Sequence, residues 1–254
     1  AGTYDEGTFS AYGWFRLRNW IPDDALLNLS GKEIYYQSPG QFRLVVSPRV
    51  EFSARGMSGE DGGKTSLRGD VFLSEGEFTR NFDRLIGSFS TAFSRTQERY
   101  SKPITETLPF LSNMKMDLRV RGGNFAVSSR FPFGETELAV NLDLRVRGTL
   151  DDIKLYDWMR LVPGGTITYK VVKRIFSITQ GTVDFSGPPG TPYIDIEAVT
   201  EVPYKRSSDA GVALELDEEA WGENVPIKIR LTGTYPNITP EFSSDKPGFD
   251  DADL

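Results

Sequence analysis

The sequence has no cysteine and no histidine among its 254 residues. Without cysteine the chain forms no disulfide and no thiolate metal site. Without histidine it lacks the most common general base, the most common zinc ligand and the side chain that most often titrates near neutral pH. The carboxylate spacing of a calcium-binding loop is also missing from the sequence. We therefore expect no enzymatic activity, no bound metal and no cofactor.

Long apolar runs are missing as well. No stretch reaches the roughly 18–20 apolar residues that a membrane-spanning helix needs. The first residues do not show the charged-then-apolar pattern of a signal peptide. The net charge is −7, which argues against nucleic acid and against an anionic membrane surface as partners. The chain runs from Ala1 to Leu254, and we expect it to be a piece of a longer protein.

What the sequence does contain is a repeated alternation of apolar and polar residues. Hydrophobic residues make up 38% of the chain and aromatic residues 12%, enough to build a sizeable core. Apolar side chains occupy alternate positions through much of 41–55, and again in 138–146 and 227–231. Successive side chains of a strand point to opposite faces, so each segment has one apolar and one polar face. The pattern predicts an all-β protein built on an antiparallel sheet.

Glycine and proline divide the alternating segments. Clusters of these residues, which we interpret as turns, lie at 38–40, 122–123, 163–165 and 187–190. Pro48 lies inside one of the alternating segments. Because proline cannot donate a ladder hydrogen bond, we expect a sheet edge or a bulge at that position.

Paired carboxylates are the remaining candidates for acid–base chemistry. Adjacent residues of an extended chain point apart, so neighbouring carboxylates do not converge on one substrate atom. We interpret all four acidic pairs as solvated groups in turns or tails; they are Asp23-Asp24, Asp151-Asp152, Glu218-Glu219 and Asp250-Asp251.

Several segments resemble a known family. The segments that carry the resemblance are 144–153, 163–169, 176–188, 192–198, 229–236 and 240–245. From about Leu138 onward, the chain resembles the C-terminal domain of the TamB family, within the AsmA-like group of envelope proteins. Asp152 and Ile153 stand where the family turn usually has a proline.

The resemblance implies a fold, a location and partners. The implied fold is an elongated antiparallel β-sheet rolled into an open, taco-like groove with an apolar interior. The implied location is the periplasm of a bacterium with two membranes, where an N-terminal segment anchors the full-length protein in the inner membrane. The implied partners are phospholipid acyl chains and an outer-membrane barrel protein of the TamA or BamA type. The implied role is phospholipid transport between the membranes, or support of outer-membrane protein assembly, without catalytic residues.

Together with the alternation, the resemblance predicts which residues line the groove. Burying one CH₂ group is worth about 0.8 kcal/mol, so a continuous apolar surface suits an acyl chain. The predicted lining residues are Phe42, Leu44, Val46, Val50, Phe52, Leu118, Val120, Leu138, Val140, Leu142, Leu144, Val146, Ile178, Val183, Phe185, Ile194, Ile196, Ile227, Ile229 and Leu231.

The chain divides into segments on the same grounds. Residues 1–82 and 113–242 are predicted to form the groove, 83–112 an insertion, and 243–254 an acidic tail. Apolar spacing over 84–99 fits a short amphipathic helix, and a long loop is the alternative.

Two other kinds of protein would show the same two-residue alternation of apolar and polar side chains. They are an outer-membrane β-barrel and a secreted β-rich binding or structural domain. Aromatic girdles at the strand ends, typical of a membrane barrel, are absent from the sequence.

Overall fold

The computed structural model of the chain describes residues 7–38, 42–58, 63–79, 113–131, 134–169, 174–203 and 224–244. Within these ranges the regular secondary structure is β-strand. The strands are β1 (Thr8–Arg18), β2 (Ile21–Lys32), β3 (Ile34–Ser38), β4 (Phe42–Arg55), β5 (Lys64–Thr79), β6 (Lys115–Phe131), β7 (Gly134–Gly148), β8 (Ile153–Leu161), β9 (Thr166–Tyr169), β10 (Arg174–Gly187), β11 (Tyr193–Pro203), β12 (Asn224–Thr234) and β13 (Asn237–Ser244).

All these strands belong to one 13-stranded sheet. Its main path has the order β1-β2-β4-β5-β6-β7-β8-β10-β11-β12-β13, with β3 paired to β4 and β9 paired to both β7 and β10. Strands that are close in the chain are mostly neighbours in the sheet, joined by short connections. The prediction of an all-β protein with one extended sheet is confirmed.

One pair of strands departs from the antiparallel pattern. β5 and β6 pair in parallel, with Ser66 beside Lys115 at one end and Thr79 beside Ser128 at the other. The sheet is therefore mixed, and β5 ends at the opposite end of the sheet from where β6 begins. The predicted insertion at 83–112, with its helix or loop, lies outside the described residues.

Pro48 lies where strand pairing is interrupted. β4 pairs with β3 over Phe42–Val46 and with β2 over Arg49–Ala54. Pro48 therefore faces the corner between β2 and β3, where Glu33 has a left-handed φ of 52° and its amide donates to the Ser47 hydroxyl at 3.0 Å. On the β2/β3 side of β4, the ladder of backbone hydrogen bonds has a gap at Pro48, so the N–H that proline lacks is not needed there.

Among the described strands, four register shifts interrupt the pairing, in β1–β2, β4–β5, β6–β7 and β10–β11, and the last two bear on the predictions. The register of β6 against β7 shifts between Gly122 and Phe125, so the turn predicted at 122–123 is wrong and the strand continues through it. A second shift in β10 follows Ile178. A bulge adds one unpaired residue and exchanges the two faces beyond it. Ile178 and Val183 therefore share a face although one number is even and the other odd.

The register aligns apolar positions of neighbouring strands in rows. One row runs through Leu27, Phe52, Leu67 and Met116. We call the side of the sheet that carries this row the inner face, and the opposite side the outer face. The buried core lies on the inner face and includes Leu155, which is 1% exposed.

The two edges of the sheet differ in chemistry. Every residue of β1 is exposed, and large side chains such as Tyr12 and Trp14 precede its first charged residue, Arg16. β13 is shorter and contains Pro240 and Glu241. Proline and charged residues hinder the pairing of a further strand. The β13 edge is thus protected against pairing, and the β1 edge is not.

Candidate functional site: the apolar inner face

The register places the predicted lining residues on the inner face. Nine of them are buried: Val140, Leu142, Leu144, Ile178, Val183, Phe185, Ile194, Ile227 and Ile229. Others pack against this cluster: Phe52, Val120, Leu138, Val146, Ile196 and Leu231. Leu44, Val46, Val50 and Leu118 are half-buried. The backbone of Phe42 pairs with that of Phe78.

The inner face is closed in one section and open in another. We call the inner face of β6–β12 the closed section, because residues such as Leu142 and Ile229 are only 8% and 7% exposed. We call the inner face of β1–β5 the open section. Leu27 and Val50 there are half-buried, and Phe15 is 65% exposed. An acyl chain can reach the open section directly, whereas the closed section accepts one only if its packed side chains separate.

Eleven buried hydrophobic residues in the described part of the chain were not among the predicted lining residues, and Leu155, Phe176 and Val225 are the most deeply buried of the large ones. Leu155, Phe176 and Val225 are 1%, 3% and 1% exposed. The short alternating runs around Phe176 and Val225 were a usable signal. The run that contains Leu155 was harder to recognise, because Asp157 interrupts it.

Asp157 occupies a position between two apolar residues of the inner face. The register pairs it with Leu144 on one side and Phe185 on the other. Its φ is 74°, a left-handed conformation that reorients the side chain relative to a regular strand, and the residue is exposed. The pKa of Arg119 on the outer face is raised, mainly by its hydrogen bonds to Asp143 and in smaller part by the charge of Asp157. The Asp157 charge is therefore felt by Arg119, which lies on the outer face.

Arginine–carboxylate pairs cross the outer face. Arg119 donates to both carboxylate oxygens of Asp143 at 2.8 and 2.6 Å. Arg230 donates to both oxygens of Asp195 at 3.0 and 2.9 Å. These hydrogen bonds hold the pKa of both carboxyl groups below the usual range because they stabilise the charged form. The two arginine side chains are about half exposed, so water screens each pair and its contribution to stability is small.

Charge is unevenly distributed over the outer face. We call the outer face of β4–β8 the basic face. Its cations are Arg43, Arg49, Arg55, Lys64, Arg68, Lys115, Arg119, Arg121, Arg145, Arg147, Lys154 and Arg160. Its carboxylates are fewer: Glu51, Asp70, Glu75, Glu77, Asp117, Glu135, Glu137 and Asp143. On β10–β13 the balance reverses, with Asp184, Asp195, Glu197, Glu201 and Glu241 against Lys228 and Arg230.

One carboxylate is buried, contrary to the prediction that the acidic pairs are solvated groups in turns or tails. Asp23 and Asp24 both lie in β2, and Asp23 is 2% exposed. The Asp23 carboxylate accepts a hydrogen bond from the Ser58 hydroxyl and lies 2.8 Å from Arg18. The Ser58 hydrogen bond contributes most to lowering the pKa of Asp23, while burial opposes it. Its role is to join the β1–β2 hairpin to the turn after β4.

Metal binding and membrane crossing by a helix are two further possibilities for the described part of the chain. No group of three or more acidic side chains there is arranged to hold a metal ion. Across the same ranges, no helix is long and apolar enough to cross a membrane.

Comparison with known families shows the family of the chain. Residues 2–252 match the family model of the TamB C-terminal domain. The chain belongs to the TamB family. The match extends the resemblance from the C-terminal half to nearly the whole chain, including β1–β5. A search of curated proteins gave no match. TamB proteins are transport and assembly modules rather than a known enzyme family, which supports a general role of this class for the chain.

Proposed function

We propose that this TamB domain carries phospholipid acyl chains along its inner face, between the inner and outer membranes of a diderm bacterium. The observation that supports the proposal is the continuous apolar inner face, aligned by register from β2 to β12. In this proposal the full-length protein is anchored in the inner membrane, and its distal partner is an outer-membrane barrel protein of the TamA or BamA type.

The energetics of an acyl chain favour such a surface. Each CH₂ group taken out of water contributes about 0.8 kcal/mol, so a lipid in transit needs apolar contact along its whole path. Rows such as Leu27, Phe52 and Leu67 supply contact that passes from strand to strand without a polar gap. The ion pairs of Arg119 and Arg230 lie on the outer face, which leaves the inner face free of them.

The two sections of the inner face suggest an order of events. Lipid first contacts the open section, where Phe15 and Val50 offer accessible apolar surface. The closed section corresponds to the lipid-free state of the path, in which Leu142 and Ile229 pack into the core. Passage through it requires those contacts to be replaced by contacts to the acyl chain, which are chemically similar and therefore cost little net free energy.

Support of outer-membrane protein assembly is a second candidate, favoured by the β1 edge. An unprotected, fully exposed strand can pair with a strand of another chain through main-chain hydrogen bonds. This role uses the edge of the sheet and is compatible with lipid on the inner face.

A matched pair of substitutions in β4 tests the lipid proposal. Val50→Asp places a charge on the inner face of the open section, and Val45→Asp makes the same chemical change on the outer face of the same strand. The purified proteins are incubated with phosphatidylethanolamine vesicles, separated from them and examined by native mass spectrometry. We expect the parent and Val45→Asp to retain lipid and Val50→Asp to lose most of it. Equal lipid retention by all three proteins, or none by the parent, would contradict the proposal.

A further inference from the structure

The basic face is a feature that lipid transport along the inner face does not use. The chain as a whole has a net charge of −7, yet cations outnumber carboxylates on this part of the sheet. The side chains of Arg49, Arg68 and Arg121 are exposed there. A local field of opposite sign to the net charge attracts anionic groups that the rest of the molecule repels.

Arg49 and Arg68 are among the arginines of the basic face that have no carboxylate partner in the described part of the chain. The register places Asp70 opposite Arg49 and Glu51 opposite Arg68. Asp70 instead pairs with Arg121, whose Nη2 lies 3.0 Å from its Oδ1. Arg49 and Arg68 are diagonal neighbours on adjacent strands, a separation of roughly 7–8 Å. Both guanidinium groups can therefore contact one bound chain.

Shallow depressions surround these two arginines. One has a volume of about 550 Å³ and is lined by Arg49, Arg68, Glu51 and the exposed Tyr12. An adjoining depression of about 650 Å³ is also lined by Arg49, together with the exposed Phe72. Arg49 thus stands where the two depressions meet. Each combines arginine with an aromatic side chain, a pairing that offers ionic and apolar contacts together.

We propose that the basic face binds an extended acidic peptide segment of a partner protein, with Arg49 and Arg68 as the groups that hold its carboxylates. Side chains on one face of an extended peptide repeat roughly every 7 Å, which matches the spacing of the two arginines. A planar guanidinium can donate two parallel hydrogen bonds to one carboxylate. Tyr12 and Phe72 would contact the apolar parts of the same segment.

The charge pattern favours a peptide over an anionic bilayer. Glu51 and Asp70 lie among the cations of this surface, and a uniformly anionic plane would approach them as closely as it approaches Arg49. A peptide can place carboxylates at the arginines and neutral or basic side chains at Glu51 and Asp70.

The test measures binding of a fluorescent decapeptide of alternating threonine and glutamate to the whole 254-residue chain by fluorescence anisotropy at low ionic strength. We expect the double variant Arg49→Gln, Arg68→Gln to bind about tenfold more weakly. The control variant Lys228→Gln, Arg230→Gln removes the same charge from β12, outside the basic face, and should change Kd less than about twofold. Glu51→Gln removes a repelling carboxylate and should bind more tightly than the parent.

Three results would overturn the proposal. The first is equal weakening by the two double variants, which would reflect net charge alone. The second is equal binding of a peptide in which glutamine replaces glutamate. The third is binding only to vesicles that contain anionic phospholipid, which would assign the basic face to a membrane surface. Circular dichroism melts of all variants establish that each comparison is made between folded proteins, and none of these results depends on whether the inner face carries lipid.

Discussion

The carboxylate of Asp23 in β2 accepts a hydrogen bond from the hydroxyl of Ser58, 35 residues further along the chain. Arg18 approaches the other carboxylate oxygen at 2.8 Å. The contact joins two connections at the same end of the sheet, the β1–β2 hairpin and the turn after β4. Together with the pairing of β2 with β4, it ties the β1–β2 hairpin to the rest of the sheet through a buried charge.

Replacing Asp23 by asparagine should destabilise the protein. Asparagine keeps the size of the side chain but removes the charge that Arg18 and the Ser58 hydroxyl stabilise. We expect a decrease in Tm of roughly 3–6 °C, measured by circular dichroism. Asp152→Asn, in an exposed turn, is the control and should leave Tm almost unchanged.

The difference in stability between the parent and Asp23→Asn should depend on pH in a defined direction. The pKa of Asp23 in the folded state is lowered from its usual value of 3.8. A lowered pKa contributes stability that is present above the unfolded value and is lost as pH falls through the folded value. The stability difference between the parent and Asp23→Asn should therefore be constant near neutral pH and shrink below about pH 4. A difference that grows on acidification would contradict this account.

Gly76 in β5 should not accept a side chain while Phe125 occupies its present position in β6. A Cβ atom built on Gly76 would lie 1.9 Å from Cε2 of the Phe125 ring. Gly76→Ala forces the ring to move, and we expect a loss of about 1–3 kcal/mol in the free energy of unfolding. In the background of Phe125→Leu the same substitution should cost much less. A double-mutant cycle in urea measures this coupling, and additive effects would show that the two residues do not contact each other.

The closed and open sections should respond differently to a buried charge. Leu142→Asp places an unpaired carboxylate in the closed section, where we expect a loss of roughly 4 kcal/mol. Val50→Asp lies in the open section, where water reaches the new carboxylate, and should cost about 1 kcal/mol. Urea unfolding curves of both variants test this. A Leu142→Asp protein as stable as the parent would mean that the closed section is solvated.

Asp143 should stabilise the folded protein more by lying between several positive charges than by its ion pair with Arg119 alone. It lies on the outer face close to Arg119, and the charges of Arg121 and Arg145 also lower its pKa. Asp143→Asn leaves three arginines without it, and we expect a loss of about 1 kcal/mol at low salt. Added salt should reduce that loss because it screens the repulsion. A loss that is independent of salt would assign the effect to hydrogen bonding alone.

Much of the sheet could be predicted because its signal is local. The alternation around Leu142 and Ile229 determines both the strands and the face that each side chain occupies. The parallel pairing of β5 with β6 has no such signal, since it depends on contacts between residues far apart in the chain. The bulge after Gly122 also escaped prediction, because paired glycines are equally typical of a turn.

The electrostatic features were harder to predict than the core. Net charge is a sum over the whole chain, and it hides the separation of Arg49 and Arg68 from the acidic strands β10–β13. The burial of Asp23 has no local signal in the sequence, because its partner Ser58 is 35 residues away. Asp157 breaks an apolar alternation, and only the left-handed φ of 74° explains how the strand continues through it.

The unequal edges of the sheet limit how copies of the domain can polymerise. A filament of sheets grows only if each subunit offers two edges that accept a strand, one for each neighbour. Here Pro240 and Glu241 hinder pairing at β13, so two copies can join through β1 about a two-fold axis and then have β13 at both ends of the main strand path. Pairing through the terminal strands of this path therefore stops at a closed pair.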